Sequence, residues 1–266
     1  MKRRILLIGL QPEEIEALRL NLSNDYLIAA YDLLPKVRLN HGILSVESTK
    51  VSGKFLKVDQ VVFHSIYEKD YDFITLLALW NGPCLPNATA MMNLRERIPG
   101  LVRSLAVSKF DGISRGMTLG KQKYSSDTEV VAKWGVWHCG EGKHKFVGDW
   151  ISPETSVVED FIEGEAVRIM LIGDKYWQVR LTGDTWLKSI HNEGSWKMEI
   201  DEQLLEDSKQ IAKSFGIEMI GVDYMVGKNG VNYLLEVNHI PNVTVFPFMN
   251  EAFIEYSTNW LLNNNK

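Results

Sequence analysis

Asp223, Glu236 and Asn238 are the residues of this chain whose types and spacing best suit chemistry. They lie in two apolar-flanked runs, 221–226 and 233–238, joined by Lys228-Asn229-Gly230. An Asn-Gly between alternating apolar runs is the strongest short-range signal for a β-hairpin. The pairing predicts Asp223 across from Glu236 and Asn238, and the latter two share a face because strand side chains two apart point the same way. Two carboxylates and an amide oxygen are the hard donors magnesium takes, with water and substrate phosphates completing its octahedron. The triplet therefore predicts a metal site that handles nucleotide phosphates. The plainer alternative is a half-exposed hairpin whose polar residues face water while Val222, Tyr224, Leu235 and Val237 fill a core.

Other residues agree with the first reading. Lys133 ends a β-like run over 129–134 and precedes Cys139-Gly140-Glu141-Gly142-Lys143, which places an ammonium at the root of a glycine-bearing loop. A strand-borne lysine can hold α- and β-phosphates while loop N–H groups cover the rest. Taken alone, it is a surface lysine beside a loop. The run Glu159-Asp160-Phe161-Ile162-Glu163-Gly164 reads as a strand leaving one unit for the next. Its extended backbone offers a donor and an acceptor to an adenine edge, with apolar neighbours to sandwich the ring. The alternative there is an acidic interdomain link.

These residues need elements to hold them. The 266-residue chain, 45% apolar, is long enough for one large domain or two to three small ones. A net charge of -5 and a pI near 5.7 leave no footprint for nucleic acid or an anionic membrane. Cys84 and Cys139 lack metal-ligand spacing, and no signal peptide or transmembrane-length run is present, so a reduced, cytoplasmic setting is expected. A buried strand over 4–9, a helix over 12–22 and strands over 25–31 and 58–63 with a helix over 71–80 predict a small α/β unit with a parallel sheet. Gly9 alone follows the first strand, too few glycines for a dinucleotide fingerprint. Residues 35–53 read as a loop or small extra hairpin. The Gly82–Asn87 stretch, with two prolines, marks a boundary. Beyond it come a helix over 88–105 interrupted at Pro99-Gly100, strands over 129–134 and 156–162, a hairpin over 168–181, an amphipathic helix over 201–215, the metal hairpin and a closing helix over 251–262.

In this order the motifs resemble the ATP-grasp superfamily, and within it the RimK-type and LysX-type ligases that join an amine to a carboxylate. The Glu236-Val237-Asn238-His239 ending is similar to that of the LysX type. The resemblance covers about 87–262 and implies an α/β class fold: an N-terminal parallel-sheet domain (1–86), a central lid subdomain (87–157) and a C-terminal subdomain with the metal site (158–266). It implies ATP and Mg2+, two ions with Glu236 bridging them and Mn2+ as a substitute, and Asp223, Glu236 and Asn238 as ligands. It puts Lys133 on the α/β-phosphates, Gly140 and Gly142 in the lid, and Glu159, Asp160, Phe161 and Ile162 at the adenine hinge. Arg168 and Arg180 fall where the family keeps arginines near phosphates or substrate, and Lys188 where an Arg-Ser or Arg-Thr contacts substrate.

The chain departs from that pattern at three places. The lysine usual in the helix after Asn87 is absent, leaving Arg97 or Arg95 to carry its charge, although arginine and lysine differ at a phosphate. The acid usual two residues before Arg168 is Ala166, so Glu165 is the ribose contact expected in its place. Asn192 stands in for the Asn that usually follows Lys188, and His239 is a candidate substrate contact. The implied activity is amide-bond formation through an acyl phosphate, between a small carboxylate, amino acid or peptide and an amine, a carrier protein or peptide being a possible acceptor and an oligomer a possible assembly. The rivals are a small-molecule kinase on the same fold and a nucleotide-binding module that has lost catalysis. Three further features have weaker chemistry: His138, Cys139 and His144 as zinc ligands, which lack a fourth, Cys139 as a nucleophile without a base, and Trp134, Trp137, Trp177, Trp186 and Trp196 as cleft walls or simply core.

Overall fold

The computed structural model describes residues 2–135 and 141–264. The chain opens as β1 (Arg3–Ile8), α1 (Pro12–Asn21), β2 (Tyr26–Tyr31), β3 (Val37–Asn40), β4 (Ile43–Glu47), β5 (Phe55–Lys57), β6 (Gln60–Phe63), α2 (Asp70–Trp80) and β7 (Cys84–Leu85). β2-β1-β6-β7 form a parallel sheet, as the strand-helix-strand rhythm predicts, and the continuous apolar run of β1 is buried because helices cover such sheets on both faces. Of the two expectations for 35–53 the hairpin is the one that forms, β3 pairing with β4, and β5 extends it to a three-stranded meander, β3-β4-β5. Gly9, at φ +73, turns the chain off β1 where an added Cβ would lie 2.3 Å from Ser65 Cβ. Only glycine fits there without displacing Ser65.

α3 (Ala88–Arg95) and α4 (Arg97–Leu105) break at Glu96, whose backbone is extended at φ -84 and ψ 127. The expected break at Pro99-Gly100 does not occur, because Pro99 falls in the first turn of α4, where its missing N–H has no intrahelical partner to lose. Both helices lie before the middle sheet in sequence, yet Ala90 and Leu94 of α3 pack into the core of the last sheet. The middle sheet consists of β8 (Arg115–Thr118), β9 (Lys123–Trp134), β10 (Lys143–Ile151) and β11 (Ser156–Asp160), antiparallel in the order β10-β9-β11-β8. Its small core of Val130, Ala132 and Val158, flanked by aromatics, is separate from the others. β11 runs across residues 157 and 158, where the sequence suggests a division.

The last sheet, β14-β13-β12-β15-β16, contains β12 (Gly164–Ile172), β13 (Lys175–Arg180), β14 (Trp196–Met198), β15 (Met219–Gly227) and β16 (Asn232–Asn238). α5 (Glu202–Phe215) starts at Asp201, whose side chain accepts from the Gln203 and Leu204 N–H groups, and ends at Gly216 in the left-handed region. It buries Leu204, Leu205 and Ile211 on one face of the sheet. α6 (Pro247–Asn263) covers the other face, and its Phe253 and Leu261 share a core with Ile5 and Leu7 of β1 and with Ala166 and Met170 of β12. One core thus joins the first and last sheets and holds their edges on either side of a cleft. Among the described residues, no helix is long and apolar enough to cross a membrane.

Candidate functional site

Antiparallel register brings the central residues together. Arg168 on β12 pairs with Asp223 on β15, which pairs with Glu236 on β16, while Asn238 pairs with Gly221. Directly paired residues share a face, so Arg168, Asp223, Glu236 and Asn238 project to one side of the sheet. A bulge after Asp223 sets Tyr224 opposite Leu234, leaving Leu235 as the extra residue of β16. Arg168 grips Asp223 with both ends of its guanidinium, Nε to Oδ1 at 2.5 Å and Nη2 to Oδ2 at 2.8 Å. Asn238 Nδ2 donates to Asp223 Oδ2 at 3.4 Å. Glu236 Oε2 lies 3.4 Å from Lys143 Nζ and 3.7 Å from Arg97 Nη1.

The middle sheet supplies further charge. Lys133 is buried and ion-paired with Glu159, whose other oxygen lies 3.3 Å from Arg115 Nε. Burial pulls Lys133 below the usual lysine range, Glu159 pushes it back up, and the neighbouring Lys143 pulls it down again. Lys143 is opposite Lys133 in the β9/β10 register and so joins the same face. Gly142, at φ +61, closes that hairpin, its carbonyl accepting from Trp134 N at 2.8 Å.

Two cavities meet at these residues and share Lys143, Lys188, Asp223 and Glu236. One, about 90 Å³, is walled by Lys133, Phe161, Ile162, Ala166, Trp186 and Leu235. It also touches Glu159 and Asp160. The Phe161 and Trp186 rings meet edge to face at 6.3 Å, and Lys145 Nζ sits 4.2 Å from the Phe161 ring centroid. The Phe161 N–H already donates to Glu129 O at 3.0 Å. The second cavity, about 260 Å³, is the cleft between the first and last sheets, reached by Glu14 and His64 on one side and by Arg168, Asn238, His191 and Asn242 on the other.

Five sequence candidates lie elsewhere. Arg180 pairs with Val167, whose side chain faces the α5 core, so Arg180 and its ion-pair partner Glu165 are on the far face of the sheet from Arg168. Odd and even positions of a strand diverge, and that parity separates Glu165 from Ala166, which does line the pocket. Asn192 is held inside its own loop, its Oδ1 accepting from Thr182 Oγ1 at 2.6 Å and Gly194 N at 3.0 Å. Its neighbour His191 faces the cleft instead, Nε2 lying 3.1 Å from Asn242 Nδ2. His239 is fully buried and outside the cleft wall. Arg95 is also buried, bound to Asp70 and to Tyr67 O, which leaves Arg97 as the arginine of the two that reaches Glu236, beside Lys143. Lys188 borders both cavities while its Nζ donates to Thr185 O at 2.7 Å and Gly183 O at 3.2 Å.

Gly140, His138, Cys139 and Trp137 fall outside the described residues. His144 stacks on Phe146 and Trp150, and no group of three His, Cys, Asp or Glu able to hold a metal occurs among the described residues. Asp223, Glu236 and Asn238 include an amide and are a different donor set. Of the tryptophans, Trp186 lines the narrow pocket, while Trp134 packs on Trp150 and Trp177 on Phe248. Sequence reading passed over Lys143, Glu14, His191 and Asn242. Lys143 alone carried a signal, since a hairpin closed at Gly142 places it opposite Lys133.

A parallel-sheet unit and two antiparallel sheets with a pocket between them make the ATP-grasp fold. Comparison with solved structures agrees over essentially the whole chain. The D-alanyl-alanine synthetase A of Vibrio cholerae superposes with a TM-score of 0.67 at 15% identity, over 99% of this chain and 98% of that one. The ATP-grasp ligase PsnB bound to a minimal precursor gives 0.65 at 14% identity, over 100% of both chains. A Chryseobacterium gregarium RiPP-associated ATP-grasp ligase, in complex with ADP and a leader and core peptide, gives 0.62 at 11% identity over 99% and 98%. No protein-family model and no curated protein matches the chain.

Proposed function

We propose that this protein is an ATP-dependent ligase that joins a carboxylate to an amine through an acyl phosphate. The observation that carries the reading is the pair of adjoining cavities with shared charged residues. The narrow, largely apolar one suits a nucleobase and opens onto Lys133 and Lys143, while the wider cleft carries Arg168, continues toward the N-terminal sheet and has room for a second molecule. Cations converging at a junction between two cavities suit transfer of a phosphoryl group from one ligand to the other. We read the three parts of the chain as an N-terminal domain, a lid and a C-terminal subdomain, with the nucleotide between the last two. The Glu236-Val237-Asn238-His239 ending favours a RimK-like or LysX-like ligase.

In the reaction, a substrate carboxylate oxygen attacks the γ-phosphorus of ATP and ADP departs. The amine nitrogen then attacks the carbonyl carbon of the acyl phosphate, loses a proton and expels phosphate, leaving an amide. Lys133, Lys143 and Arg168 steady phosphate charge, and the side chains between the two cavities align the reacting atoms. Asp223, Glu236 and Asn238 fit magnesium by donor chemistry, three hard oxygens on one face, and would hold it, where it supplies charge neutralisation for the phosphates. PsnB has been solved with magnesium and ADP together with its precursor, which supports the pairing of this fold with those ligands. The neighbours' names, a D-alanine-D-alanine ligase of Coxiella burnetii and a macrocyclase bound with a precursor peptide, support an amino acid or peptide substrate here.

The test is ADP release from ATP and magnesium against pools of amino acids, peptides and small carboxylic acids, with products weighed by mass spectrometry. Release that requires both a carboxylate and an amine, with a product lighter by one water than their sum, supports the ligase. A phosphorylated product formed without an amine identifies a kinase. Nucleotide binding without release overturns catalysis altogether.

A further inference from the structure

A second, larger groove lies beside the cleft, between α1 and α6, with a volume of about 530 Å³. Exposed Glu13, Glu251 and Glu255 border it, half-buried Ala17 and Ile254 lie along it, and no lysine or arginine is among its described lining residues. Lys175 touches Glu255 from outside, 2.5 Å from Oε2. Solvated surface carboxylates alone would mean little.

Glu14 changes that. It lines both the acidic groove and the ligase cleft, yet its side chain is 1% exposed. One oxygen, Oε2, accepts from Gln11 N at 2.7 Å and completes the cap of α1, while the other, Oε1, is buried with no hydrogen-bond partner. An unfilled carboxylate oxygen carries a desolvation cost that a donor removes, and a cationic donor removes most of it. Burial holds the Glu14 carboxyl above the usual range, the capping N–H pulls it down, and Glu13 adds to the rise.

We propose that the α1/α6 groove docks a cationic peptide segment, its basic side chains against Glu13, Glu251 and Glu255 and one cationic group at Oε1 of Glu14, so that an amine-bearing peptide enters the cleft along it. Lysine and arginine stems suit this surface because they lie on apolar residues such as Ala17 and Ile254 while their charged ends reach carboxylates. A free amino acid would fill the cleft and leave the groove unused. The proposal deepens the ligase reading by naming its substrate class and rests on that reading for the reaction, although docking stands without it.

The experiment is fluorescence anisotropy with a fluorescein-labelled lysine-alanine hexapeptide on the full chain. Three proteins are compared: the parent, Glu13→Gln/Glu251→Gln/Glu255→Gln, and a control with the same charge change elsewhere, Glu68→Gln/Glu202→Gln/Glu206→Gln. The groove variant should bind about five- to twentyfold more weakly at ~50 mM salt, the gap closing near ~0.5 M as exposed charges are screened. The control should stay within about twofold of the parent. In a second comparison, Glu14→Gln keeps the capping oxygen and should narrow the parent's preference for the lysine peptide over its norleucine analogue to the share held by the three outer carboxylates, and an unchanged preference overturns the contact at Glu14. Equal weakening of groove and control variants, or no binding by the parent, overturns the proposal. Peptide binding through the groove without ADP release would overturn only the ligase reading, and ADP release with peptide unaffected by the groove variant would overturn only the docking.

Discussion

Glu236→Gln separates a functional carboxylate from a structural one. In the structure Glu236 is 17% exposed and lies 3.4 Å from Lys143 and 3.7 Å from Arg97. At an effective dielectric near 20 each contact has a gross attraction of roughly 5 kcal/mol. Desolvation and side-chain ordering offset most of it, and pairs of this length and exposure contribute about 0–1 kcal/mol net. Removing the charge also leaves several cations facing one another, so the variant should lose about 1 kcal/mol, or ~2–4 °C in melting temperature for a chain of this size. A carboxylate that positions metal and phosphate contributes far more to the transition state, about 3–5 kcal/mol, which is roughly 10²–10⁴ in rate. The assay pairs a thermal melt with magnesium-dependent ADP release on whichever pool activates the parent, and with titration of a fluorescent ATP analogue. Turnover within threefold of the parent, or a melting loss above ~10 °C, would refute the assignment.

Three further outcomes follow from other parts of the molecule. Asp207→Ala should cost about 3 kcal/mol in urea unfolding, because this buried carboxylate accepts from Lys109 N at 2.7 Å, Ser108 Oγ at 2.8 Å and Tyr224 OH at 2.9 Å; a loss under ~1 kcal/mol would deny that the network holds the 108–110 segment. Ala166→Leu should weaken the ATP analogue at least about tenfold while leaving the fold intact, since the added atoms enter the narrow pocket, and unchanged affinity would place the base elsewhere. His64 is buried against Pro241 O, and burial pulls it from 6.5 down to about 4. The unfolded chain therefore takes up a proton first as pH falls. Stability attributable to a neutral His64 is fully present above pH 6.5 and is lost between 6.5 and about 4, roughly 3 kcal/mol in all. Denaturant midpoints measured across that window should flatten in His64→Asn, and an identical slope in both proteins would contradict the burial argument.

The hairpin that carries Asp223 and Glu236 is legible because its signals are local, period-two apolar residues and an Asn-Gly turn, but the register those signals set would place Asp223 opposite Leu235, and it is the bulge after Asp223, unmarked in the sequence, that brings it opposite Glu236. The parallel N-terminal sheet is legible for the same reason, as apolar runs alternate with a helical period. The helix break at Glu96 is not, because proline is destabilising in a helix interior and tolerated in a first turn, and the chain alone does not say which turn Pro99 occupies. Strand parity in principle separates Glu165 from Ala166 and Arg168, but only once the buried face of β12 is known, and that strand is buried on both faces.

Residue chemistry and short-range periodicity were thus enough to nominate the carboxylates, the strand lysine and the aromatic hinge, since each sits within a few residues of the signal that marks it. Tertiary packing alone decided which basic groups meet them. Arg97 reaches Glu236 from a helix more than a hundred residues away while its near neighbour Arg95 is spent on Asp70, and Glu14 becomes a cleft residue because α6 joins the first and last sheets in one core. Such pairings depend on the relative position of elements distant in sequence, which is set by the summed burial of many apolar side chains and leaves no mark in the residues that happen to meet.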